Sequence, residues 1–163
     1  MNITVIYHSH TGKTRAVVEK ISRQLGGNII EVVPNQQYST LSAVTKGCYR
    51  ALTAAADAVT PDQISLTDSD LVVLASPVWA GKPTPVINGA LRSISGGEGK
   101  RVFVVTTCGD AKSGDQATTL LKIRAYETGM IVVGGETLDK QGVINETAIL
   151  SLIEKIKAAG ESS

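Results

Sequence analysis

Aromatic residues are scarce in this chain of 163 residues, at 4%, with one Trp (Trp79) and one Phe (Phe103). A core must therefore be mostly Val, Ile, Leu and Ala, and an aromatic side chain in a loop stands out. Cysteine is equally sparse. Cys48 and Cys108 have neither CxxC nor metal-ligand spacing, so no metal site is expected and a reduced, cytoplasmic setting is the default. No surplus of one charge sign exists either. A net charge of +1 gives no electrostatic case for nucleic acid or an acidic membrane surface. No apolar run reaches the roughly 18 residues that suggest a membrane span, so membrane insertion is not expected. The chain opens with the apolar run Met1-Asn2-Ile3-Thr4-Val5-Ile6 and no basic leader, which reads as a first strand and not as a signal peptide.

What is present is ordinary for a globular protein: 42% hydrophobic and 19% charged residues. The length suits one domain, residues 1–160, with Glu161-Ser162-Ser163 as a frayed tail. Five runs rich in β-branched residues are apolar nearly throughout: Ile3–Tyr7, Ile29–Val33, Leu71–Ala75, Val102–Thr106 and Met130–Val133. Continuous apolarity predicts strands covered on both faces. Helical spacing appears over Thr14–Leu25, Pro85–Ile94, Gln116–Tyr126 and Glu146–Ala158, the last capped by Asn145. Strands alternating with helices predict parallel pairing, right-handed crossovers and an α/β sandwich with helices on both faces. Over residues 34–66 the pattern is weakest. Leu41, Val44, Cys48 and Leu52 suggest a helix with an apolar face, running into the Ala-rich Ala51–Ala58, and Thr60-Pro61-Asp62 a turn or a new cap.

Ligands of such sheets bind beyond the carboxyl ends of the strands, where the winding reverses. Three loops there are unusual. Ser9-His10-Thr11-Gly12-Lys13-Thr14 supplies hydroxyls, a glycine and a helix start, and no acidic residue, which together suit a phosphate. Pro77-Val78-Trp79-Ala80-Gly81 carries the single indole, a flat face for a planar ligand or a cover for a core edge or an interface. Thr107-Cys108-Gly109-Asp110 offers small and polar groups that can line a ring edge.

Rival chemistries fare worse. An ATP-binding P-loop needs a glycine where Tyr7 stands, and no later strand ends in an Asp suited to Mg²⁺. Simple helix capping explains the first loop alone but not all three. A nucleophilic Cys108 lacks a recognisable His partner, and Cys48 reads as core. Lys46, Arg50, Lys82 and Lys112 are either solvated surface or a guide for a partner or a dinucleotide phosphate.

Taken together, the three loops resemble the flavodoxin-like family, across Met1 to about Gly160. Ser9–Thr14 looks like its hydroxyl–x–Thr–Gly–x–Thr phosphate loop, and Cys108-Gly109-Asp110 is similar to a segment of its second isoalloxazine loop. The resemblance implies a three-layer, doubly wound α/β sandwich with a five-stranded parallel sheet of order 2-1-3-4-5. It implies FMN as cofactor, with Trp79 stacking on the flavin. It also implies an electron-transfer flavoprotein serving a redox partner protein or a small-molecule acceptor. An FMN-dependent NAD(P)H:acceptor or quinone oxidoreductase is the alternative, and a non-catalytic interaction module a third. Two departures matter. No aromatic lies between Cys108 and Tyr126, where many flavodoxins have a Tyr, so one flavin face is open or covered by another segment or subunit. The strong acidity of electron-carrier flavodoxins is also missing.

Overall fold

The structure is a computed structural model that describes residues 1–161. Five strands build the main sheet: β1 (Ile3–Tyr7), β2 (Asn28–Glu31), β3 (Leu71–Trp79), β4 (Arg101–Thr107) and β5 (Ile131–Leu138). All pair in parallel, in the order β2-β1-β3-β4-β5, which is the 2-1-3-4-5 arrangement of a doubly wound sheet. The residues Lys82–Pro83 add a short antiparallel hairpin to the end of β3.

Four helices flank the sheet: α1 (Lys13–Leu25), α2 (Pro85–Arg92), α3 (Ala111–Glu127) and α4 (Glu146–Glu161). Side chains alternate across each strand, so β1 sends Ile3, Val5 and Tyr7 to one face and Ile6 to the other. The first face packs on α1 and α4 through Val17, Ile21, Leu152 and Ile156. The second packs on α2 and α3 through Val86, Ile87, Leu121 and Ala125. Because both faces are covered there, the central strands β1, β3 and β4 are largely apolar and buried. The side chain of Asn145 caps α4 by accepting from the N–H of Ala148, and Glu161 is the last described residue of that helix. The rest of the expected tail, Ser162 and Ser163, lies outside the described residues.

Three boundaries differ from the sequence expectation by about four residues or more. β3 runs on to Trp79, because its last residues pair with the returning Lys82–Pro83. β5 continues to Leu138 through Gly134-Gly135, which look like strand breakers. They serve packing instead: a Cβ on Gly134 would stand 2.5 Å from the Phe103 ring. α3 starts at Ala111 and not near Gln116, since Asp110 caps it by accepting from the N–H of Ser113 at 3.0 Å.

The helical insert between β2 and β3 departs most. It consists of Thr40–Ser42, a π turn Ala43–Gly47 and Cys48–Leu52. The expected apolar face points the wrong way: Leu41 is 74% exposed, Val44 and Leu52 are exposed, and Cys48 is only partly buried. Buried instead are Ala43, Gly47 and Ala51. The reason is size. The floor beneath the insert is the Trp79 indole, and a Cβ on Gly47 would stand 2.7 Å from its Cζ3. Only a face of small residues can lie that close.

Candidate functional site

The three loops converge at the carboxyl ends of β1, β3 and β4, as the topology requires. In the first loop, the Ser9 hydroxyl accepts from the N–H of Gly12 (3.1 Å) and of Arg15 (3.2 Å), folding the turn over the start of α1. Gly12 sits at φ +88° with nothing near its missing Cβ, so the backbone is open to close approach. Gly12 supplies no side-chain cap, and the first turn holds no acidic residue. The amides of this helix start that Ser9 does not take, those of Lys13 and Thr14, therefore suit an anion. Thr11 and Lys13 are exposed beside it. Thr14 faces inward, and its hydroxyl bonds that of Thr107 at 2.8 Å. That bond ties the first loop to the end of β4.

Beyond β3 the chain reverses through Ala80 (φ +50°) and Gly81 (φ +72°), both left-handed, as a two-residue hairpin demands. A Cβ on Gly81 would meet Gln116 Oε1 at 2.9 Å, so α3 supports the tip. Beneath the hairpin lies a polar relay absent from the sequence expectation. His8 Nδ1 lies 3.0 Å from Thr84 Oγ1, and the Thr84 N–H donates to Ser76 Oγ. Thr84 Oγ1 also accepts from the N–H of Ile87, while the Ser76 hydroxyl donates to the Pro77 carbonyl. The Thr84 proton is thus best used on His8 Nδ1, which leaves the His8 proton on Nε2. Burial, reinforced by His10 and opposed by Asp57, pulls the His8 imidazole down to about 4. His8 is therefore neutral at physiological pH. Its signal in the sequence was its place directly after β1.

The third loop is shorter than expected. Cys108 donates its N–H to the Leu138 carbonyl, and α3 begins three residues on. Burial pushes the Cys108 thiol up, so it carries no thiolate suited to nucleophilic work. Gly109 is open, and the serine N–H bond holds the Asp110 carboxyl below its usual range.

Trp79 is 9% exposed and is ringed by three edge contacts, from His8 (5.7 Å), His10 (5.5 Å) and Tyr38 (5.1 Å). Tyr38 links the indole to the insert. Its hydroxyl donates to Asp57 Oδ2 at 2.6 Å, and Arg50 bonds Oδ1 of the same carboxylate. Burial, then the bond to Asp57, raises the Tyr38 phenol to about 12. A cleft of about 550 Å³ opens on the far side of Tyr38, lined by residues 34–58. Neither Tyr38 nor this cleft was marked by the sequence, because the register of the insert depends on contacts distant in the chain.

Among the described residues, no helix is long and apolar enough to cross a membrane. No curated protein matches the sequence significantly. Among solved structures, a Bacteroides uniformis protein classed as a flavoprotein aligns with a TM-score of 0.79 at 20% identity, covering 94% of this chain and 97% of that one. A flavoprotein in complex with FMN from Lactobacillus acidophilus aligns at 0.69 and 19% identity, over 86% of this chain and 95% of its own. The two-electron reduced flavodoxin of Megasphaera elsdenii aligns at 0.61 and 16% identity, over 98% and 99%. At these identities the likeness is one of fold. Residues 1–142, which contain all three loops, match the NADPH-dependent FMN reductase family, and the chain belongs to that family.

Proposed function

We propose that this protein is an FMN-dependent oxidoreductase that draws electrons from NADPH and passes them to a small-molecule acceptor. The chain is an FMN-binding flavoprotein of flavodoxin-like fold. The observation that carries the enzyme reading is the third loop. Cys108-Gly109-Asp110 leads straight into α3 and brings no aromatic wall, so that side of the site can admit a nicotinamide or a small acceptor. The net charge of +1 supports the same reading, because it supplies no acidic field for a protein partner. The reading places the protein in the cytoplasm as one domain, with Cys48 and Cys108 as free thiols.

FMN, when bound, supplies the redox chemistry. The chain's own residues hold and present it. The open first loop would hold the phosphate: Gly12 allows close approach, the Lys13 and Thr14 N–H groups at the start of α1 would donate to it, and Thr11, Lys13 and His10 would flank it. The Trp79 hairpin and the Thr107–Asp110 loop would flank the ring system. Neutral His8, held by Thr84, fixes the approach of β1 to the hairpin without adding charge.

The test is to mix the FMN-loaded protein with NADPH under anaerobic conditions. Rapid loss of the visible flavin absorbance is expected. No loss over many minutes would overturn the enzyme reading and favour a carrier that takes electrons from another protein.

A further inference from the structure

We infer that the cleft between the end of β2 and the helical insert binds the phosphate monoester of a nucleotide, carried either by NADPH as its 2′-phosphate or by a free nucleotide. Its volume of about 550 Å³ suits a small molecule. None of the residues of the three strand-end loops lines it. It meets the site only at Tyr38, whose ring lies 5.1 Å from Trp79.

The charges in the cleft are arranged for an anion. Asp57 is its one carboxylate, and both oxygens are occupied: Oδ1 by Arg50 Nε and Nη2, Oδ2 by the Tyr38 hydroxyl. That leaves Arg50 Nη1 available. Lys46, also on the lining, makes no ion pair among the described residues. Residues 34–56 contain no Asp or Glu at all. Lys46, Arg50 and Asp57 therefore sum to one positive charge, presented by an ammonium and part of a guanidinium. This pairing of a mobile point charge with a planar donor suits phosphate. Lys46 lies in the π turn, an irregularity common at functional sites.

The remaining lining suits the nucleoside. Asn35 and Gln37 each spend one side-chain group locally, on Thr60 and on the Pro34 carbonyl. The Asn35 amide NH₂, the Gln37 carbonyl and the whole Gln36 amide stay available, as donors and acceptors for a base edge or ribose hydroxyls. The Tyr38 ring supplies an apolar wall. Assigning the phosphate to NADPH rests on the proposed function; the phosphate chemistry of the cleft does not.

The experiment is calorimetric titration of the FMN-loaded protein with adenosine 2′-monophosphate and adenosine 5′-monophosphate, in wild type, Lys46→Gln and Lys46→Glu. Lys46 is exposed, so both variants should fold, which unchanged FMN content and melting verify. Wild type should bind the 2′-monophosphate, Lys46→Gln about tenfold more weakly, and Lys46→Glu not measurably. If NADPH is the source, its KM rises about tenfold in Lys46→Gln while that for NADH does not. If the 5′-monophosphate shows the Lys46 dependence and the KM for NADPH does not move, the site serves a free nucleotide. Binding of neither nucleotide to wild type, or equal binding to Lys46→Glu, would overturn the inference. Nucleotide binding without flavin reduction by NADPH removes the enzyme reading and leaves the cleft standing.

Discussion

The first loop and the helical insert both close on Trp79, but by different means. In the first loop, Ser9 folds the turn over its own neighbours and Gly12 opens the backbone, all within Ser9–Arg15. In the insert, the anchors lie outside it: Gly47 lies on the indole, and Tyr38 and Arg50 both bond Asp57. A local motif carries its geometry with it. A packed strap takes its geometry from the surface beneath it, and there side-chain size decides over hydrophobicity.

The comparison breaks first at the loop. Thr11→Glu places a negative charge in the anion cradle and touches no packed contact, since Thr11 is exposed. FMN affinity should fall at least about 100-fold with the melting temperature nearly unchanged, read by flavin retention on gel filtration. Full retention would mean the phosphate sits elsewhere. In the insert the order reverses, with stability lost first. Gly47→Val drives a side chain into Trp79 and should cost about 1–3 kcal/mol in chemical denaturation, with weaker FMN binding following from the displaced indole.

His8 joins the two regions and sharpens the contrast through pH. Its folded value lies near 4, below the ordinary 6.5, so between those values the unfolded chain takes up a proton that the folded chain resists. The His8 contribution is complete above pH 6.5 and is lost as pH falls toward 4, by about 1.4 kcal/mol per pH unit. His8→Gln should flatten that part of the stability curve; an unchanged slope would assign it to other groups. The smallest effect belongs to the face that the sequence marks as buried. Leu52→Ser should shift stability by no more than about 0.5 kcal/mol, because Leu52 is exposed. A loss of several times that size would mean that this face is covered in solution.

The sandwich was legible in the sequence because unbroken apolar runs and helical spacing are local patterns, which β1 and β4 obey almost to the residue. The strand order came from the resemblance of the three loops to the flavodoxin-like family. The three loops were legible because strand ends locate them. What escaped was set by contacts across the fold. The fifth apolar run ends at Val133, whereas the strand continues through Gly134 and Gly135, which make room for Phe103 and Val104. Leu41, Val44 and Leu52 read as core by hydrophobicity, while Ala43, Gly47 and Ala51 won the buried face by being small. The His8–Thr84–Ser76 relay joins residues up to 76 positions apart, and no spacing rule announces it.

The chain's single tryptophan makes the central claim directly measurable, since Trp79 is the only indole and lies beside the first loop. The measurement is titration of the flavin-free protein with FMN and, separately, with riboflavin, following Trp79 fluorescence. The account predicts saturating quenching at one FMN per chain and at least about tenfold weaker binding of riboflavin, which lacks the phosphate that the first loop holds. Equal affinity for the two flavins, or no quenching by FMN, would contradict it.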